Sequence, residues 1–488
     1  MNKASITKNY INNLLYQMLF IIAPLITTPY LSRILSINDI GRYSYSRSIT
    51  TYFILLGTLG INFYAQREIA VLQGDSKKQR EFFWEVFFLR IFTVSISVII
   101  FSYFYIIGKT DATLNILLSI EIISAVFDIS WYFQGQERFS DILCYNAIIK
   151  VLSICSIFIF VKNQTDLLVY AFIYSATVFM NNICLWILLP QNHFLGMFRK
   201  LHFKRHIIPS LSLFIPQAAI QIYTVLDKTM IGIITKSELQ NAYYEQCYKI
   251  ITIILMLVTS LGVVLLSRVA KLNFDNNYAL VKRYINISLK FSLFLAIPMS
   301  VGLICISKEI LELFLGEQYA EADNILKILS MIIVFIAISN VIGIQYLIAL
   351  RRQREYTISV IVGALVNIVA NLVLIKGFGA FGAAIATVIS ECMVMITQLY
   401  FVRNEFLIKQ MFRYLWKYLL ASGVMVVMLL LIDNINCDSN SYMMILLKVA
   451  IGAGSYYLVL YSLNDELAKI LFTKVRDLIK NRKFFGGI

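Results

Sequence analysis

The sequence predicts an all-α polytopic membrane protein, with about fourteen transmembrane helices in two pseudo-symmetric six-helix lobes plus two C-terminal helices. Three observations carry this. The 488 residues are 59% hydrophobic and 15% charged, with a mean hydropathy of +0.74; soluble domains hold about 25% charged residues. The apolar residues fall into runs of roughly 20, the length that crosses about 30 Å of hydrocarbon. The connections between runs alternate between rich and poor in Lys and Arg.

The first run, Tyr10–Leu31, is too long for the apolar stretch of a cleavable signal and lacks a small-residue cleavage site, so it is expected to stay as a span. Tyr43–Ala65 lies between Arg42 and the Arg67-Glu68 pair, and Phe82–Ile107 follows the basic segment from Lys77 to Arg80. Ala112–Phe133, Ile142–Val161 and Leu167–Leu189 complete a first set of six. A basic loop through His206 leads to Ile207–Ile234, Ala242–Leu266, Ile285–Ile306, Ile325–Leu350, Tyr356–Ile375 and Phe381–Val402, the last two joined by a glycine-rich hinge. Tyr414–Ile432 and Tyr442–Leu463 remain as a terminal pair.

Sorting the connections by side puts 27 Lys and Arg on one face and 7 on the other. Both termini are therefore expected in the cytoplasm, and an even helix count agrees in placing them on one side. The loops on the opposite side are short. The longest, Ser307–Asn324, is acidic and too small for a catalytic domain. The net charge of +15 would suggest nucleic acid in a soluble protein, but no basic soluble domain exists to carry such binding. Seven scattered cysteines without metal-type spacing read as packing residues, and His193, His202 and His206 as part of a solvated basic linker. Neither a metal, a cofactor nor a catalytic constellation is expected.

The chain resembles itself at a spacing of about 200 residues. Leu59-Gly60-Ile61 and Arg67-Glu68-Ile69-Ala70 echo Leu261-Gly262-Val263 and Arg268-Val269-Ala270; Trp131-Tyr132-Phe133-Gln134-Gly135 echoes Gln345-Tyr346-Leu347-Ile348-Ala349. This divides the chain into 1–189, 190–402 and a terminal segment 403–488 outside the repeat. A parallel repeat of this kind is expected to hold a substrate cavity between its halves and to let them rock.

Ionisable groups in hydrocarbon cost about 2.5–3.5 kcal/mol on insertion scales, so those retained face a cavity or a partner. Lys290, Lys327 and Lys448 lie near span ends and read as snorkelling. Arg47, Arg90, Lys150, Lys228 and Lys249 sit deeper and are the candidate substrate-binding cations; Arg47 and Lys249 are repeat counterparts. Polar stripes at helical spacing, Asn13 and Gln17 on the first span and Gln217, Gln221 and Thr224 on the seventh, fit either water-lined helices or interhelical hydrogen bonding. The acids Glu121, Asp128, Asp227 and Glu391 either pair a buried cation or take a coupling proton or sodium ion. A cationic interior suits phosphate oxygens, the opposite sign to that expected of an exporter of cationic drugs.

Several segments, in this order, are similar to a known family: Pro29-Tyr30-Leu31-Ser32-Arg33-Ile34-Leu35, Ile40-Gly41-Arg42-Tyr43-Ser44, Gln66-Arg67-Glu68-Ile69-Ala70, Asp128-Ile129-Ser130-Trp131-Tyr132, Leu226-Asp227-Lys228 and Gly379-Ala380-Phe381-Gly382-Ala383-Ala384. From about Asn9 to Arg403 the chain resembles bacterial flippases for lipid-linked O-antigen and capsule repeat units, within the multidrug/oligosaccharidyl-lipid/polysaccharide exporter superfamily. The resemblance implies fourteen helices, a substrate of undecaprenyl pyrophosphate bearing an oligosaccharide, and no bond chemistry. It also implies the bacterial inner membrane and, as partners, the lipid bilayer, a polysaccharide polymerase and a chain-length regulator. Cations on the second and eighth helices recognise substrate in such flippases, which points to Arg47 and Lys249. Asn241-Ala242 stands where the family often has glycine, a departure that touches the local bend of the eighth helix.

Overall fold

The computed structural model describes residues 22–107, 111–190, 202–405, 407–434, 441–470 and 473. Asn13 and Gln17 lie outside them. The described residues contain no strand, and nine of their helices are long and apolar enough to cross a membrane. Helix α1 covers residues 22–34. It is followed by α2 (Ile37–Thr58), α3 (Ile61–Val71), α4 (Ser76–Tyr105), α5 (Ala112–Phe127), α6 (Ser130–Gly135), α7 (Phe139–Phe160), α8 (Leu167–Cys184) and α9 (Ile207–Thr235). Then come α10 (Glu238–Phe274), α11 (Tyr278–Cys305), α12 (Ser307–Phe314), α13 (Asp323–Ser330), α14 (Ile332–Ser339), α15 (Gln353–Phe401), α16 (Leu407–Asp433) and α17 (Ser441–Ser462).

Short polar residues start these helices where the sequence has them. The side chains of Ser36, Asp75 and Asn277 accept the backbone N–H of Asp39, Lys78 and Leu280, each satisfying one amide that a helix N-terminus leaves without a partner.

Several spans are less regular than an apolar run suggests. The second divides into α2 and α3 because Leu59 and Gly60 both take positive φ, 42° and 70°. Gly60 is required there twice over. The backbone is left-handed, and a Cβ would sit 2.8 Å from the Phe214 amide nitrogen and the Ser210 carbonyl of α9. The fourth span breaks at Asp128-Ile129, between α5 and α6. The tenth consists of α13, α14 and a nine-residue π-helix, Asn340–Ile348, where Gln345 accepts from Ser288 at 2.6 Å and donates to Asn340 at 3.0 Å. Within α15 the expected hinge is real: Gly379, at φ 57° and ψ −133°, parts two helices that otherwise run on as one.

The chain forms two compact units, 1–245 and 246–488. In the first, α5 packs against α8, α2 and α4, while α9 lies on α2 and α3. An aromatic core of Phe82, Phe83, Trp84, Phe87, Trp131 and Tyr132 fills it at one end of α4. In the second, α11 packs on α16 and α14, and α16 pairs with α17 around Leu289, Leu293, Ile297, Tyr418, Met425 and Tyr456.

Two sequence expectations change here. Lys290 and Lys448 do not snorkel; their side chains are 8% and 4% exposed and sit in ion pairs. Lys290 meets Asp465 at 3.5 Å and Glu466 at 2.9 Å, and Lys448 meets Glu309 at 2.6 Å and also Asp433. Acids on other helices and connections supply the counter-charge that water would otherwise give. His206 is not solvated linker either. It is buried, its Nε2 lies 2.8 Å from the Glu85 carboxylate and its Nδ1 2.8 Å from the Tyr64 hydroxyl. Glu85 also accepts from the His202 backbone at 2.9 Å and from Arg205 at 3.1 and 2.6 Å, pinning this segment to α4 just before α9 begins.

Candidate functional site

The first unit brings together Arg47 from α2, Glu121 from α5, Lys150 from α7 and Tyr170 and Tyr174 from α8. Helical spacing arranges them. Tyr43 and Arg47 are four apart on α2, and Tyr170 and Tyr174 are four apart on α8, so each pair shares a face. The two faces meet, with ring centroids 4.9 Å apart for Tyr43–Tyr170 and 6.4 Å for Tyr43–Tyr174.

Arg47 is held from two directions. Its guanidinium carbon lies 4.2 Å from the centroid of the Tyr174 ring, and Nη2 donates to the Tyr174 hydroxyl. Its Nε lies 3.7 Å from a Glu121 oxygen, and Ser175 donates to the other oxygen of that carboxylate at 3.5 Å. The Arg47 side chain stays 39% exposed while Glu121 is 5% exposed. The acid is therefore behind the cation and the cation faces open space. Lys150, half-buried, lies within electrostatic range of Arg47 and makes no ion pair among the described residues. Two positive groups and one enclosed carboxylate leave a net positive centre that can take an anion with several oxygens.

The other predicted residues fall elsewhere. Arg90 is 1% exposed on α4 and donates to the Asp128 carbonyl and to Asn62; the Asp128 carboxylate is 3.7 Å away. Lys228, near the end of α9, meets Glu245 of α10 at 2.5 Å, and the neighbouring Asp227 accepts from the Tyr244 hydroxyl at 2.5 Å. Ser44 donates towards Glu245 and Asn241 at 3.3 Å, so this polar cluster ties α2 to α10 as well. Gln221 is half-buried, and Thr224 is exposed with its hydroxyl turned back to the Gln221 carbonyl. Gln217 lies in α9, its side chain outside the described ones. In the second unit Lys249 and Glu391 are half-buried on α10 and α15.

Sequence reasoning passed over Tyr43, Tyr170 and Tyr174. Among 29 tyrosines none stands out alone. The usable signal was the i, i+4 spacing of two pairs, one of which contains the candidate cation.

Outside the spans, the Asp166 carboxylate accepts the Lys162 and Asn163 amides at 2.9 and 2.8 Å just before α8 starts, and these bonds hold it below the usual carboxylate range.

A protein of Escherichia coli (strain K12) whose provisional name is O-antigen transporter is 24% identical over 83% of this chain and 98% of its own length. The capsular polysaccharide biosynthesis protein CapF of Staphylococcus aureus is 22% identical over 76% of this chain and 92% of its own. Among solved structures, the lipid II flippase MurJ in an inward closed conformation superposes with a TM-score of 0.72 at 19% identity, covering 97% of this chain and all of that one. That likeness fixes the fold. Residues 213–373 match the MatE family, and residues 6–273, more than half of the chain, match the family described as Polysaccharide biosynthesis protein. The chain belongs to the polysaccharide biosynthesis protein family.

Proposed function

We propose that this protein is a flippase that carries lipid-linked oligosaccharide repeat units, of O-antigen or capsule type, across the bacterial inner membrane by alternating access. It makes and breaks no bond. Relatives named for O-antigen transport and capsule biosynthesis along nearly their whole length support the reading. The observation that carries it is Lys150, a half-buried cation without an ion pair among the described residues, within electrostatic range of an Arg47 whose acid partner is enclosed. In this reading Arg47 and Lys150 receive the pyrophosphate, Lys249 plays the corresponding part in the second half, and the polyprenyl tail stays in lipid. The bias of Lys and Arg, 27 against 7, supports cytoplasmic termini. Glu121, Asp128, Asp227 and Glu391 are the groups through which a sodium ion or proton would couple, with membrane potential as the other source of drive. A polymerase and a chain-length regulator would act on the delivered repeat units.

The test is complementation of a strain lacking its own flippase. Alanine at Arg47, Lys150 or Lys249 should lower surface polysaccharide by roughly tenfold, the effect of about 1.4 kcal/mol of lost headgroup binding. Full activity in all three variants at normal membrane levels would overturn the cationic site. A small-solute antiporter on the same fold would instead change drug sensitivity and leave surface polysaccharide untouched.

A further inference from the structure

Arginine 47 is a long side chain with much rotamer freedom, and ordering it when an anion arrives costs affinity. In this protein it already has partners that restrain it. The guanidinium carbon lies 4.2 Å from the centroid of the Tyr174 ring, and the Tyr174 hydroxyl takes one Nη2 proton. Glu121 stands opposite Nε at 3.7 Å. Among the described residues none hydrogen-bonds to Nη1 or forms an ion pair with it. Nη1 and the second Nη2 proton keep their donor capacity on a side chain that is 39% exposed, and adjacent guanidinium donors can grip two phosphate oxygens at once. Tyr174 is itself backed by Tyr170, at a ring distance of 6.4 Å, and by Tyr43.

We propose that Tyr174 is a positioning residue that fixes the plane of the Arg47 guanidinium, so that its free edge forms a preorganised clamp for a diphosphate headgroup. The inference rests on the reading of Arg47 as a headgroup cation and adds to it. Tyr174 touches the arginine and not the substrate. Its ring stabilises the cation by its quadrupole, and its hydroxyl sets rotation within the plane. Glu121 contributes the complementary restraint from the buried side. A lysine at position 47 could use the same aromatic face but would offer no planar fork, so the arrangement is specific to arginine.

The experiment uses the full chain purified in detergent and titrated with farnesyl pyrophosphate, with farnesol as the control for tail binding alone. Arg47→Ala should weaken farnesyl pyrophosphate binding about tenfold and leave farnesol unchanged. Tyr174→Phe keeps the ring and its packing and removes the hydroxyl; it should weaken pyrophosphate binding about threefold. Tyr174→Leu, which removes the aromatic face as well, should approach the Arg47→Ala value. In the Arg47→Ala background both Tyr174 substitutions should add nothing, an outcome that a merely structural tyrosine would not give. Tyr174→Phe with unchanged affinity, or Tyr174 effects that add fully to those of Arg47→Ala, would overturn the positioning role while leaving Arg47 in place. Unchanged binding by Arg47→Ala would instead remove the underlying headgroup reading.

Discussion

Arg90 donates to the main-chain carbonyl of Asp128 across the break that separates α5 from α6. A helix that stops inside a membrane leaves carbonyls without amide partners, and this guanidinium answers one of them while also binding Asn62. At 1% exposure it has no solvent to fall back on. Arg90→Met should therefore lower stability by about 3–5 kcal/mol, because the Asp128 carboxylate loses its counter-charge along with the carbonyl bond. Asp128→Asn should also destabilise, because it leaves the Arg90 charge, 1% exposed, with neutral acceptors alone. Thermal unfolding of the detergent-purified variants decides it; similar midpoints for Arg90→Met and the parent protein would refute the bracing role.

Lys228 and Glu245 make a shorter-range version of the same argument. They join α9 to α10 at 2.5 Å with 19% and 10% of their side chains exposed. Lys228→Ala leaves Glu245 charged in a low-dielectric setting and should destabilise by about 3 kcal/mol, whereas Lys228→Ala with Glu245→Gln should recover most of that. A double-mutant cycle on denaturant or SDS unfolding measures the coupling, and additive single effects would show that the pair contributes none.

These two pairs show where the sequence was legible. Length, apolar runs and loop charge were enough for an all-helical membrane fold and for the hinge at Gly379, because hydrocarbon thickness and backbone satisfaction dictate them locally. The order of motifs was enough for the family. The partners of buried charges were not legible. Arg90 and Arg47 look alike in sequence, each a cation within an apolar run, yet one is closed in by acceptors from α3 and the α5–α6 break while the other stays 39% exposed. Their difference arises from which neighbouring helix faces them, a tertiary fact. The same holds for Lys290 and Lys448, whose partners Glu466 and Glu309 lie more than a hundred residues away. His206 was misread for a further reason: a run of basic residues resembles a solvated linker unless a single acid, here Glu85 on another helix, gathers it in.

His206 gives a pH dependence with a definite sign. Burial pushes its imidazole below the usual value, and the bond to Glu85 opposes this only in part. The unfolded chain takes up this proton near pH 6.5, before the folded protein does. The contribution of His206 to stability is thus complete above that pH and is lost as pH falls from about 6.5 towards the folded value. Glu85 of α4, Tyr64 and Glu68 of α3 and its neighbour Arg205 act on it, and Lys78 and Glu81 of α4 line the same pocket. Unfolding midpoints measured from pH 8 to pH 5 should decline through this window in the parent protein and decline less in His206→Gln. Parallel curves for the two proteins would refute the assignment.

Two glycines in the α15 hinge region should respond in opposite ways to the same change. Gly379 has φ 57° and ψ −133°, a conformation that side chains disfavour, so Gly379→Ala should destabilise by about 1–3 kcal/mol. Gly377, two residues earlier, is helical and has nothing within 4 Å of the place a Cβ would occupy. Gly377→Ala should be neutral or stabilising by up to about 1 kcal/mol, since it reduces the freedom of the unfolded chain and favours helix. Both variants would be followed by thermal unfolding together with surface-polysaccharide complementation. A stabilised Gly379→Ala protein would mean that the hinge is a continuous helix, and the division of α15 into two spans would have to be withdrawn.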